Sequence, residues 1–125
     1  MIRVLVVEDE TYWAMELAWR LQGAGYAVVR PERSVAETQQ ALARMPVDLA
    51  LLDIVLGAET VFPVSKILEG MGIPFVFVTG HAGLLPAEYR NRPLMAKPCK
   101  VPALLALIPQ MLAYRRGTNS SLSGE

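Results

Sequence analysis

The sequence predicts one doubly wound α/β domain, five parallel strands covered by helices on both faces, and three observations carry that expectation. Short apolar runs alternate with longer amphipathic stretches, several of the short runs are apolar at every position, and each run stops at a polar or glycine-rich connection. A strand without polar alternation needs cover on both faces, which is a property of parallel sheets. The runs are Ile2 to Val7, Tyr26 to Val29, Val47 to Leu52, Ile73 to Val78 and a weaker Leu94 to Ala96.

The helices follow from spacing and punctuation. Tyr12, Trp13, Met15, Leu17, Ala18 and Leu21 recur at helical intervals and stop at Gly23 and Gly25, where glycine accepts positive φ. Ser34 is an expected N-cap with Glu37 completing a capping box, and Val35, Thr38, Leu42 and Met45 carry an apolar stripe to Pro46. A third helix is expected from Val61 or Phe62 through Leu68, with Pro63 tolerated in the first turn and a stop at Gly70-Met71-Gly72. Between Thr79 and Lys97, Gly80, Gly83, Pro86 and Pro93 leave only Ala87 to Arg90 as one helical turn, so helix four should be short or disordered. The segment from His81 to Pro93 is expected to be mobile and ordered by modification or by a partner. A last helix begins near Val101-Pro102 and carries Leu104, Leu105, Leu107, Ile108, Met111 and Leu112, with Pro109 expected to kink or divide it at a cost of about 3 kcal/mol. Residues 1–116 are read as the domain and 117–125, with almost nothing to bury, as a flexible C-terminal tail. Alternating strands and helices of this kind close into a flavodoxin-like sheet with right-handed crossovers.

Composition narrows the classes. A chain of 125 residues, 53% hydrophobic and with a formal net charge of zero, has material for one compact domain. It carries no Lys/Arg stripe, and Arg115-Arg116 is too short a basic pair to serve nucleic acid or an anionic membrane, so neither is an expected partner. Ile2 to Val7 is too short for a secretory or membrane-spanning segment, and Cys99 is the one cysteine, so the expected location is the cytoplasm.

Ligands of such sheets sit where the strands end and the connections diverge. The first run ends in Glu8-Asp9-Glu10, the third in Asp53, the fourth in Thr79-Gly80 and the fifth in Lys97-Pro98. Carboxylates brought this close repel by roughly 4 kcal/mol per pair at an effective dielectric near 20, so the cluster calls for a cation. Oxygen ligands suit Mg2+ better than zinc, which prefers His or Cys. A carboxylate beside such an ion can attack phosphorus and form an aspartyl-phosphate. Asp53 is placed for that role, Lys97 for neutralising the phosphoryl oxygens and Thr79 for holding one of them. Each residue taken singly has a plainer purpose as a helix cap, a strand end or a surface amine. The four strand ends together argue for the chemistry.

This order of residues, Glu-Asp after the first strand, Asp after the third, Thr after the fourth and Lys-Pro after the fifth, resembles the bacterial response regulator receiver domain over Met1 to about Ala113. The resemblance implies the CheY-like form of the flavodoxin-like fold, a Mg2+ site from Glu8, Asp9, Asp53 and the backbone carbonyl of Val55, and Asp53 as phosphoryl acceptor. It implies Thr79 as the switch hydroxyl, Lys97 as the ion-pair partner and a cis Lys97-Pro98 bond. The implied partners are a sensor histidine kinase or phosphotransfer protein and a downstream protein, with a homodimer left open. No separate turnover substrate is expected. The segment from Asp53 to Val64, with Pro74-Phe75-Val76-Phe77-Val78-Thr79-Gly80, resembles the stand-alone FAT GUY regulators, although Val78 stands where that subset has Ala and His81 where an aromatic often follows.

Departures at Gly57 and Leu94, with the short helix four, fall on the surface that transmits the signal in such domains. Gly57 replaces the usual Pro and should loosen or reshape the loop into helix three. Leu94 replaces an aromatic rotamer switch, and Cys99 replaces a frequent Phe. The alternative function is therefore a degenerate receiver acting as a phosphorylation-independent interaction module. A flavin or nucleotide module would need a Gly/Ser/Thr loop after the first strand, where Glu8-Asp9-Glu10 would repel phosphate, and a haloacid-dehalogenase-like phosphatase would carry a different acidic pattern there.

Overall fold

The computed structural model describes residues 1–28 and 30–124, with side chains to residue 113. The elements are β1 (Val4–Val7), α1 (Thr11–Gly23), α2 (Val35–Arg44), β2 (Leu49–Leu52), β3 (Val55–Leu56), β4 (Glu59–Thr60), α3 (Phe62–Met71), β5 (Phe75–Thr79), β6 (Leu94–Ala96) and α4 (Val101–Gly124). Strands β1, β2, β5 and β6 form a parallel sheet in the order β1-β2-β5-β6.

Side chains alternate across the pleat, and that alternation divides the core. Leu5, Val7, Ala50, Leu52, Phe75 and Phe77 face α2 and α3, packing with Ala41, Leu42, Val64 and Leu68. Val4, Val6, Leu49, Leu51, Val76 and Val78 face the other way, against Leu17, Ala18 and Leu21 of α1 and Leu104, Ile108 and Met111 of α4. Both faces are dry, which explains why these strands lack polar positions. The doubly wound, CheY-like flavodoxin fold expected from the sequence is the fold observed.

The second apolar run departs from expectation, because it does not form a continuous strand. It flanks β1 through isolated parallel bridges at Arg3–Ala27 and Val7–Glu32, so five residues advance on one side for every four on the other. That surplus is a bulge, and Pro31 within it has no N–H to give the ladder. Val29, the end of the expected run, lies outside the described residues.

The ends of the helices show what the sequence marked well and badly. Ser34 caps α2 by accepting from Glu37 N at 3.1 Å, while the Glu37 carboxylate reaches back to Arg33 N at 2.9 Å. Within the expected stop at Gly70-Met71-Gly72, Gly72 at φ 70° is the residue that ends α3, because only the residue past the last turn must be left-handed. Pro109 does not divide α4: it is exposed within a continuous helix whose buried side is Val101, Leu104, Ile108 and Met111. The tail expected at 117–125 lies outside the fully described residues. Among the described residues, no helix is long and apolar enough to cross a membrane.

Helix four is short, as expected: two 3-10 turns, Ala82–Leu84 and Ala87–Tyr89, take its place. Its second half is anchored rather than loose. Tyr89 is fully buried, stacked on Phe62 at 5.7 Å and edge-on to Phe77 at 5.6 Å. Its hydroxyl donates to Glu69 Oε1 at 3.1 Å, and Arg92–Glu69 and Lys66–Glu88 ion pairs of 2.8 and 2.7 Å add surface ties to α3. His81 to Leu84 is the longest run of the segment exposed at every residue.

Candidate functional site

Register brings the acidic strand ends together. Val7 pairs with Leu52, which places Glu8 beside Asp53, and Asp53 N donates to Val7 O at 2.9 Å. Thr79 pairs with Ala96, and Lys97 N donates to Thr79 O at 2.9 Å. Glu8, Asp9, Asp53, Val55 and Lys97 line one open cavity of about 390 Å³, together with Glu10, Gly57, Gly80 and His81.

The side chains converge as their backbone positions suggest. Carboxylate oxygens of Glu8, Asp9 and Asp53 lie within 4.8 Å of one another. The Lys97 ammonium donates to Glu8 Oε1 and to Asp53 Oδ2, the latter at 3.2 Å, with Glu10 Oε2 at 3.8 Å. Asp53 Oδ1 accepts from Ile54 N at 2.7 Å. The Thr79 hydroxyl oxygen accepts from His81 N at 3.0 Å, leaving its own hydrogen to donate.

Electrostatics separate the two buried carboxyls. Burial raises Glu8 to about 7 against the opposing pull of the Lys97 hydrogen bond and the Glu10 amide. Burial also works upward on Asp53, but the Thr79 hydroxyl, Glu8 and Lys97 outweigh it and hold the carboxyl below the usual range. Lys97 is lowered by burial and raised more by Glu8 and Asp53, so it stays charged. The outcome is an ionised Asp53 facing a cation, the protonation state a nucleophile needs.

The donor set fits a hard divalent ion. It is all oxygen, from Glu8, Asp9 and Asp53, and the one histidine, His81, is exposed at the cavity rim without joining the cluster.

Gly57 corrects a reading of the sequence. It does reshape the loop, turning residues 55–60 into a β3–β4 hairpin, but it fastens that loop rather than loosening it. At φ 62° its N–H donates to Asp9 Oδ2 at 2.7 Å. A second tie joins Glu59 Oε2 to Val35 N at 3.2 Å, so the hairpin is held to the start of α2 as well. Two further residues gain a role at the site: Glu10, read in the sequence only as part of the acidic run, faces Lys97, and Trp13, read as packing, has its ring centroid 5.6 Å from the Lys97 ammonium. Both stand where α1 leaves the end of β1, which was the available signal.

No protein-family model matches the chain. A curated relative, the phyllosphere-induced regulator PhyR of Methylorubrum extorquens, is 26% identical over 118 residues, covering 90% of this chain and 44% of its own. The chain thus spans less than half the length of that relative. The solution structure of the PhyR response regulator REC domain from Erythrobacter litoralis superposes with a TM-score of 0.79 at 27% identity, covering 90% of this chain and 91% of that one. SdrG from Sphingomonas melonis Fr1 is 31% identical, with a TM-score of 0.78, covering 90% of this chain and 97% of its own. The chain belongs to the response regulator receiver family. The receiver carries its acidic cluster at the carboxyl ends of its strands; of the departures from the common pattern, Gly57 touches that cluster through Asp9, and Leu94 packs against the core at the start of β6.

Proposed function

We propose that this receiver takes a phosphoryl group onto Asp53 from a sensor histidine kinase or phosphotransfer protein in the cytoplasm and passes the signal on through a downstream protein, as a member of the FAT GUY subset. The observation that carries the proposal is the meeting of Glu8, Asp9 and Asp53 oxygens within 4.8 Å beside the Lys97 ammonium. In transfer, an Asp53 oxygen forms a bond to phosphorus as the phosphorus–nitrogen bond of the donor's phosphohistidine breaks, and the imidazole keeps that electron pair. Glu8, Asp9, Asp53 and the Val55 carbonyl would hold Mg2+, which supplies charge neutralisation at the phosphoryl oxygens when bound. Lys97 neutralises one of those oxygens and the Thr79 hydroxyl donates to another, so the protein's contribution is positioning and electrostatics. An exposed apolar stripe on α1, Tyr12, Met15 and Trp19, begins beside the cavity and suits the approach of a donor protein.

Labelling with acetyl phosphate tests this. Wild-type protein should be labelled only with Mg2+, Asp53→Asn not at all, and Thr79→Ala should be labelled without producing the downstream response. Labelling of Asp53→Asn to the wild-type extent would place the acceptor elsewhere. A wild-type chain that still binds its partner while resisting labelling would favour the phosphorylation-independent module.

A further inference from the structure

The ammonium of Lys97 faces three carboxylates, and a role at Asp53 requires it to stay beside one of them. Glu8 and Asp53 accept hydrogen bonds from it, and Glu10, exposed at the cavity edge, waits at 3.8 Å. Lys97 reaches these groups on a flexible four-carbon stem from the end of β6, a three-residue edge strand paired only with β5. Nothing in that stem itself fixes where the charge comes to rest.

Trp13 lies on the α1 side of this ammonium, its ring centroid 5.6 Å from Nζ, within range of a cation–π attraction. The indole is half-buried and packs against the core cluster of Val78, Val101 and Leu104, so the ring is held by the fold. Trp13 also sits in the first turn of α1, directly after the acidic strand end. An aromatic face has a property that a fourth carboxylate would lack. It attracts a cation without binding any one of its hydrogens, so the ammonium can turn from Asp53 Oδ2 toward a newly arrived phosphoryl oxygen without breaking a bond to its support.

We infer that Trp13 is a positioning residue for phosphoryl transfer, an aromatic seat that keeps the Lys97 ammonium over Asp53 and away from Glu10. The inference rests on Asp53 being the phosphoryl acceptor. Loss of the ring's attraction slows transfer while leaving the affinity for a small phosphodonor unchanged, because the ammonium acts on charge that develops as phosphorus changes hands.

The test uses the full chain with Trp19→Phe, so that Trp13 is the one remaining tryptophan of two. Acetyl phosphate is the donor, at saturating Mg2+. Trp13→Leu should lower the maximal phosphorylation rate about fivefold with the half-saturating donor concentration unchanged, and Trp13→Phe should restore the rate to within about twofold. Fluorinated tryptophans incorporated at position 13 preserve shape while draining the ring's negative face, and the rate should fall stepwise with fluorine number even should the Leu variant misfold. Rates equal across the fluorinated series, or a Phe variant as slow as a folded Leu variant, overturn the inference. Failure of the wild-type chain to be labelled at Asp53 overturns the acceptor assignment itself, and this inference with it.

Discussion

Gly57 donates its N–H to Asp9 Oδ2 at 2.7 Å from a left-handed turn at φ 62°. Proline at this position could do neither, since its ring holds φ near −65° and it has no N–H. The hairpin and the acidic cluster are therefore one structural unit.

Gly57→Pro should accordingly weaken Mg2+ binding about tenfold, read by calorimetric titration, because Asp9 loses the amide that orients it. Gly57→Ala keeps the amide, and its Cβ would meet Asp9 Oδ2 only at 4.0 Å, so its cost is backbone strain of about 1–2 kcal/mol in denaturant unfolding. An alanine variant with proline-like loss of Mg2+ would show that the N–H is not the part that matters.

Mg2+ should raise the thermal midpoint of the wild type, and EDTA should reverse the rise, because an ion bound by the folded state alone stabilises it by mass action. In Asp9→Asn the metal-free midpoint should rise, as carboxylate repulsion is relieved, while the response to Mg2+ disappears. A full response in this variant would remove Asp9 from the site.

Tyr89 anchors the segment that stands in for helix four. Tyr89→Ala should cost about 3–5 kcal/mol, by loss of a buried ring among Phe62, Phe75 and Phe77, and Tyr89→Phe about 1 kcal/mol for the hydrogen bond to Glu69. Hydrogen exchange should show His81 to Leu84 opening freely while residues around Tyr89 stay protected in the wild type. Equal, rapid exchange across the whole segment would deny the anchor.

Glu32 is buried, and its Oε2 has no hydrogen-bond partner. Burial raises its carboxyl above the usual 4.5, more than Arg30 and Arg44 lower it. A raised folded value means that the group's contribution is fully present below the unfolded value and is lost as pH climbs through the folded one. Glu32→Gln should therefore be more stable than wild type at pH 8 and not at pH 4, by denaturant midpoint. A constant difference across that range would contradict the assignment.

Much of this architecture was legible because it follows from local pattern. Uniformly apolar runs predicted a sheet covered on both faces, and Glu8, Asp9, Asp53, Thr79 and Lys97 stood out because each lies at or just past the end of a strand. The hairpin was not legible, because strands of two residues leave no period to read and Gly57 reads alike as a loose joint or a tied one. The second strand was not legible as it stands, because its apolar residues look continuous while only isolated bridges at Ala27 and Glu32 tie the segment to β1. The Trp13–Lys97 contact joins opposite ends of the chain, and no local spacing encodes it.

The most direct measurement is site mapping. Protein phosphorylated by acetyl phosphate with Mg2+ can be reduced with borohydride, which converts an aspartyl-phosphate to homoserine, and its peptides weighed. The account predicts homoserine at position 53 alone. Modification confined to another carboxylate, or none in protein that has bound Mg2+, would contradict it.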